Sequence, residues 1–434
     1  MNLRVKPVAL DTAAAGTNTG VKAGREGPSA TAEALARGDT ETGMSPRVGL
    51  VEKIKALAEA LAAAERATAR EGARRSALTL ALAEALAAQC DTAARQRAQA
   101  LALYRRTALR SPPARSTPWL DVMLARLRWP GQALLIARSG LWRRSDSRLR
   151  DLAQMAAYAR RGPNPAVGPQ APLHQAWYLS QLGGVASRHP PLVHFLISGV
   201  RDGRSPHPLF DMAFYRSRNA DELAATRMGP FQHFVWRGAA EGRDPHPLFS
   251  IAWYLGQAPD LAESGENPLT HYMTRGWREG LTPHPLFDAK WYASQTPPSE
   301  ADEAPLVHYL TGGWRAGLSP HPLFDAAWYL EHYADIAECG VEPLSHFAAY
   351  GGGEGRSPGP WFDSAHYAAV RGEALAPGAN PLIDYLTGGA WRVGEARPGF
   401  PTSAYLSARP ELAHAGLTPL EHWARLAGPP ARGS

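Results

Sequence analysis

Histidine is the side chain best suited to acid–base or metal chemistry near neutral pH, and the 434-residue chain carries 15 of them. Ten fall into two recurring settings. One is a Pro-His-Pro segment holding His207, His246, His284 and His321. The other is a His-aromatic pair, His194-Phe195, His233-Phe234, His271-Tyr272, His308-Tyr309, His346-Phe347 and His422-Trp423, with Asp384-Tyr385 in the equivalent place. A catalytic base is needed once, whereas a packing or hydrogen-bonding group is needed in every copy of a repeated unit, so recurrence assigns both sets to structure. Tryptophan behaves alike: Trp177, Trp253, Trp291 and Trp328 share one column and Trp277 and Trp314 another, which reads as core. The alternative is an exposed aromatic ladder that stacks on sugar rings. There is no Gly-x-Ser-x-Gly, His-Glu-x-x-His, Walker loop or Cys-x-x-Cys. The expected catalytic, cofactor-binding and metal-binding residues are therefore none, and no cofactor is expected.

The columns come from an internal repeat. Phe210, Phe249, Phe287, Phe324, Phe362 and Phe400 recur at steps of 37 to 39 residues, and Leu173 takes the same place 37 residues before Phe210. Five residues after each comes a tyrosine: Tyr178, Tyr215, Tyr254, Tyr292, Tyr329, Tyr367 and Tyr405. The His-aromatic pair follows 16 to 18 residues later. Glycine stands five beyond that in six units, at Gly199, Gly238, Gly276, Gly313, Gly351 and Gly389.

Local chemistry makes each unit helical. Asp211, Ser250, Asp288, Asp325 and Asp363 follow the Phe and can accept hydrogen bonds from the free amides of a first helix turn. Phe324 and Trp328 lie one turn apart, as a staple-like pair. A second short turn follows, as in Pro259-Asp260-Leu261-Ala262. The next helix opens at Asn267-Pro268 and is expected to close at Gly276 in a left-handed cap. Glu279-Gly280 and Pro283-His284-Pro285 connect to the next unit, because proline stops helix continuation. A unit of about 38 residues cannot bury its aromatic face alone, so neighbours must stack. The fold class expected is all-α, a solenoid-like array of about seven units over 171–428.

The motif His-Pro-Leu-Phe-Asp-x-x-Trp-Tyr-Leu, then Pro-Asp-Leu-Ala, Asn-Pro-Leu-x-His-Tyr and Gly-Trp-x-Glu-Gly, resembles repeats found beside glycosyltransferase domains in large bacterial proteins of surface-polysaccharide and O-antigen biosynthesis. The resemblance covers Leu173 to about Gly428, and Ala133 to Trp142 looks like the lead-in to such an array. It implies an accessory region of a sugar-transfer machine. The chain departs from the pattern in lacking alternating strands and helices, a Gly-rich phosphate loop and any Asp-x-Asp motif.

The remaining chain reads as helical or irregular. Residues 1–47 lack apolar periodicity and are expected to be a disordered, retained tail with no secretion signal, and 429–434 a second tail. Residues 48–110 carry two leucine stripes, Leu50-Ile54-Leu57-Leu61 and Leu78-Leu82-Leu86, separated near Gly72. They are expected to form a helical hairpin or short coiled coil. A linker and helical lead-in span 111–170. The net charge of +6 comes largely from Arg in the first 160 residues, interspersed with Ala as on a solvated helix face, so no nucleic acid partner is expected. No stretch is long and apolar enough to cross a membrane. Cys90 and Cys339 cannot build a disulfide framework, which fits a reducing compartment. The reading is a non-enzymatic, cytoplasmic scaffold or adaptor in surface-polysaccharide biosynthesis, with protein partners, a glycosyltransferase among them. The alternatives are a divergent or truncated glycosyltransferase and a carbohydrate-binding module.

Overall fold

The computed structural model describes residues 46–108, 118–142, 147–161, 173–183, 188–295, 303–409 and 411–428. The expected tails fall outside them, apart from Pro46 and Arg47. The described residues are helical, and in place of strands they show only isolated bridges such as His246 to Phe249. The chain divides into two compact units, one of Leu3–Leu78 and one containing Thr79–Ser434.

Helix α1, Pro46–Ala108, runs unbroken for 63 residues, about 95 Å at 1.5 Å per residue. The expected hairpin is absent. One glycine costs a helix only about 1 kcal/mol relative to alanine, and the flanking Arg and Ala residues favour helix. The Glu71–Arg75 ion pair (3.3 Å) and the Ser76 hydroxyl donating to the Gly72 carbonyl (3.0 Å) carry the helix through the position expected to break it. Three helices follow: α2, Pro118–Arg126, α3, Arg128–Ser139, and α4, Arg148–Arg161.

The array then begins, with units I to VII starting at Leu173, Phe210, Phe249, Phe287, Phe324, Phe362 and Phe400. Unit III shows the pattern. The Ser250 hydroxyl accepts from the Trp253 amide and starts Ile251–Gln257. Pro259–Ser264 follows and stops at Gly265, whose φ is 65°. Asn267 accepts from Leu269 and Thr270 and starts Pro268–His271, which continues as a π-turn over Tyr272–Gly276. The repeat phenylalanines from Phe210 to Phe362 are at most 1% exposed. Each packs its ring on the tyrosine five residues later, as Phe249 does on Tyr254 at 5.4 Å and Phe324 on Tyr329 at 5.5 Å. The expected Phe324–Trp328 staple is thus replaced by Phe324–Tyr329, and Trp328 stacks on His332 at 3.8 Å.

The glycine reading also changes. Gly276 has helical dihedrals, and the left-handed residue is Gly280, φ 78°. The Leu281 amide bonds to the Gly276 carbonyl (3.0 Å) and the Gly280 amide to that of Trp277 (3.2 Å), the paired bonds of a Schellman motif. Gly242, Gly317 and Gly355 repeat this, φ 77° to 79°. The sequence landmark five residues after His therefore answers to a different constraint, described below.

Units are stitched by backbone. The Ser250 amide donates to the Pro283 carbonyl of the next connector (3.0 Å), and Asp211, Asp288 and Asp325 donate likewise to Pro245, Pro320 and Pro358. Stacking coils the array: Arg218 reaches the Ala349 carbonyl, and Arg425 pairs with Asp288, at separations of 131 and 137 residues, about three and a half repeat lengths. The later part of α1 lies along this coil. The Thr107 hydroxyl donates to the Ala262 carbonyl (2.7 Å), Arg97 covers the Trp253 ring, and Asp91 pairs with Arg392.

Candidate functional site

The two most regular polar columns meet inside each unit. Tyrosine hydroxyls lie 2.7 Å from His194 Nδ1 (Tyr178), 2.8 Å from His233 (Tyr215), 2.7 Å from His271 (Tyr254), 2.6 Å from His308 (Tyr292), 3.0 Å from His346 (Tyr329) and 2.7 Å from His422 (Tyr405). In unit VI the hydroxyl of Tyr367 donates to Asp384 Oδ2 at 2.6 Å. An ionised carboxylate only accepts, so tyrosine is the donor there. The same direction elsewhere leaves Nδ1 as acceptor and the proton on Nε2. Arg371 neutralises Asp384 at 2.8 Å.

Burial favours the neutral forms of both partners in units I, II, III and V. Burial pushes the hydroxyls of Tyr178, Tyr215, Tyr254, Tyr329 and Tyr367 well above the ordinary tyrosine range. Burial also pushes His194, His233, His271 and His346 below the ordinary histidine value, because both charged forms lose solvation. In those units a neutral phenol bonded to a neutral imidazole locks two helices together, and the tyrosine side chains of units I to VI are at most 1% exposed.

The connector histidines form a second buried set. The Nδ1 of His207, His246, His284 and His321 accepts the amide two residues on, at 2.9 to 3.2 Å, which closes the turn before each Phe. His321 also holds Glu421 of unit VII at 3.3 Å.

One cluster has metal-ligand composition: donor atoms of Glu222, His233 and Glu241 all lie within 4.8 Å of one another. His233 is fully buried and its Nε2 has no hydrogen-bond partner. The carboxylates, however, are already bridged by arginine. Arg243 holds Glu241 at 2.6 Å and Glu222 at 3.8 Å, and Arg237 holds them at 2.9 and 3.6 Å. Two guanidinium groups cancel the two carboxylate charges that would attract a cation. The related quartet of Asp335, His346, Glu354 and Arg356 in unit V, with Arg356 bonded to both acids at 2.8 Å, marks the arrangement as a recurring ion-pair network.

The tryptophan columns are half-buried at the rim, unlike the tyrosines. Their faces are largely taken. Arg97 lies over Trp253, Arg278 over Trp277, Arg315 over Trp314 and Arg425 over Trp291, at 4.1 to 5.6 Å from the ring centroids. A sugar ring stacking there would have to displace a guanidinium group.

A further relation links adjacent units. The second helix of unit I starts after Pro190, which has no capping side chain, and its Leu192 amide is bound by the Tyr158 hydroxyl of α4 (3.1 Å). Tyr385 binds the Leu420 amide (3.0 Å) although Thr418 also caps that helix, and Tyr272 faces Leu306 more loosely, after Ala304. Where the cap is Asn267 or Asn380, the preceding unit carries Phe234 or Phe347, with no hydroxyl. The exchange is partial, since unit II follows Phe195 with the uncapped Gly229 and in unit V the Tyr309 hydroxyl donates to the capping Glu342 (2.6 Å), and it appears only when residues of neighbouring units are paired.

No family model, curated protein or solved structure matches the chain.

Proposed function

We propose that the array is a non-enzymatic scaffold or adaptor that holds a protein partner in bacterial surface-polysaccharide biosynthesis. The observation that carries the non-enzymatic part is the use made of the polar columns. In all seven units the tyrosine hydroxyl is bonded to the His or Asp of its own unit. The residues that recur are consumed in building the array, and what varies from unit to unit is surface. A long coiled surface assembled from many units suits partner binding. The pathway, and a glycosyltransferase as partner, rest on the resemblance of the repeat motif. Work in the cytoplasm fits two cysteines that stay unpaired, and among the described residues no helix is long and apolar enough to cross a membrane. The guanidinium groups over the tryptophans weigh against the carbohydrate-binding alternative.

The test has two arms. The purified full-length chain should neither hydrolyse nor transfer from nucleotide sugars, and turnover lost with a single His→Gln substitution would overturn the reading. In cells, His271→Gln or His308→Gln should leave polysaccharide output nearly intact. Deleting Phe287–Pro322 should abolish it along with partner capture, because every later unit shifts and the pairing of Asp288 with Arg425 is lost.

A further inference from the structure

The face of α1 that carries Leu57, Leu61 and Leu78 is a heptad seam. Leu57, Leu61, Ala64, Thr68, Glu71, Arg75, Leu78 and Leu82 succeed one another at alternating steps of four and three, the spacing that keeps a stripe on one side of a helix wound against another. Leu57, Leu61 and Leu78 are each 62% exposed, and Leu82 is half-buried. Helices in water draw most of their stability from packing an apolar face, and Leu57, Leu61 and Leu78 are open to solvent.

Two features decide what covers it. The leucines are placed symmetrically: Leu57 and Leu61 stand as far before the midpoint between Ala69 and Arg70 as Leu82 and Leu78 stand after it. Two copies of α1 laid side by side in opposite directions therefore set Leu57 against Leu82 and Leu61 against Leu78 at both ends of the contact. The charges select the same direction. Parallel pairing would put Glu71 on Glu71 and Arg75 on Arg75 inside the seam, like charges at core positions. Antiparallel pairing faces Glu71 with Thr68 and Arg75 with Ala64, and each copy keeps its own Glu71–Arg75 ion pair. A polar centre flanked by leucine layers also bears on register: sliding by one heptad in one direction sets Arg75 and Glu71 against Leu57 and Leu61, and in the other direction gives up both leucine layers, setting Leu78 against Thr68 and Leu82 against Ala64.

We infer that α1 is a self-association element and that a second copy of this chain docks on it antiparallel, through the seam from Leu57 to Leu82. The resulting particle carries two arrays. This inference stands apart from the scaffold reading, since a dimer of either an enzyme or an adaptor would satisfy it.

Sedimentation of the full-length chain tests the association. A dimer is expected, converted to monomer by Leu57→Lys with Leu61→Lys. Both positions are already exposed, so the far-ultraviolet dichroism and melting of the array should not change. A wild-type chain that stays monomeric, or a dimer that survives the double substitution, overturns the inference. So does a monomer that pellets with vesicles of anionic phospholipid through these leucines, which would assign the face to a membrane. Direction is read separately, in a Cys90→Ser, Cys339→Ser background carrying Leu61→Cys and Leu78→Cys. Oxidation should give a link between positions 61 and 78 of different chains. Within one chain these positions are about 25 Å apart along the helix, too far to bridge. Links of 61 to 61 and 78 to 78 would overturn the antiparallel arrangement.

Discussion

A Cβ atom on Gly276 would lie 1.9 Å from the hydroxyl oxygen of Tyr254. The same holds at 1.9 to 2.3 Å for Gly199, Gly238, Gly313, Gly351 and Gly389 against the tyrosines of their own units. The hydroxyl must come this close to meet His271 Nδ1 across the helix, so glycine is required for its missing side chain and not for its backbone freedom. Gly276→Ala is expected to destabilise the array by about 1 to 3 kcal/mol, the usual cost of overpacking. Removing the hydroxyl makes room, so Tyr254→Phe with Gly276→Ala should lose clearly less than the two single losses added together. Chemical denaturation of the four proteins measures the coupling, and strict additivity would refute this account of the glycine.

The exchange of Tyr for Asn between neighbouring units gives a second cycle. Tyr158→Phe leaves the Leu192 amide without its acceptor and should cost about 1 kcal/mol. Pro190→Asn supplies the cap that Asn267 provides in unit III, and should restore most of that loss when combined with Tyr158→Phe. No recovery would mean that the two positions do not substitute for each other.

These cases show which parts of the fold are legible in the sequence. The caps Asp211, Ser250, Asp288, Asp325 and Asp363 can be read because each acts on amides two or three residues away. The two columns at Tyr254 and His271 are both visible as recurring positions. Their mutual bond is not, because it spans 17 residues and depends on how two helices cross. Glycine has two common uses, as a cap and as a gap, and only the distance to Tyr254 tells which one Gly276 serves. Gly72 reads as a break only when its residue type is weighed without the magnitude, about 1 kcal/mol, against 63 residues of otherwise favourable helix. The arginine over Trp291 comes from position 425, a contact made by the coil of the whole array.

Acid should loosen the array through the connector histidines. Burial lowers His246 to about 4 and His284 to about 3 from an ordinary 6.5, with Asp211 the charged group that partly offsets this for His246. Protonation would also put a proton on the nitrogen that accepts the Leu248 or Leu286 amide. Each histidine is thus neutral when folded and takes up a proton more readily when unfolded. Its contribution is complete above pH 6.5 and is lost as the pH falls toward 4, at up to about 1.4 kcal/mol per pH unit for each group. Melting temperatures should change little above the ordinary histidine value of 6.5 and fall as the pH is lowered from there toward about 4.5. His284→Asn keeps an acceptor for Leu286 and should flatten the slope, and an unchanged slope would place the acid sensitivity elsewhere.

Asp244 makes the opposite prediction. It stands where Ser205, Ser319 and Ser357 stand in other units, and its Oδ1 accepts the Ile251 amide at 2.7 Å as Ser357 Oγ accepts that of Ser364 at 3.2 Å. Burial raises its carboxyl from 3.8 to about 6, against a weaker pull from Arg218. Folding therefore disfavours the charged form, and the penalty grows as the pH rises from about 4 through 6, where the unfolded chain has already ionised. Serine supplies the same acceptor without a charge to desolvate. Asp244→Ser should raise stability by about 2 kcal/mol at pH 7.5, an order-of-magnitude figure from the size of the shift, and should change little at pH 4. A variant no more stable than the parent at pH 7.5, or equally stabilised at both pH values, would show that the buried carboxylate is not the source of the penalty.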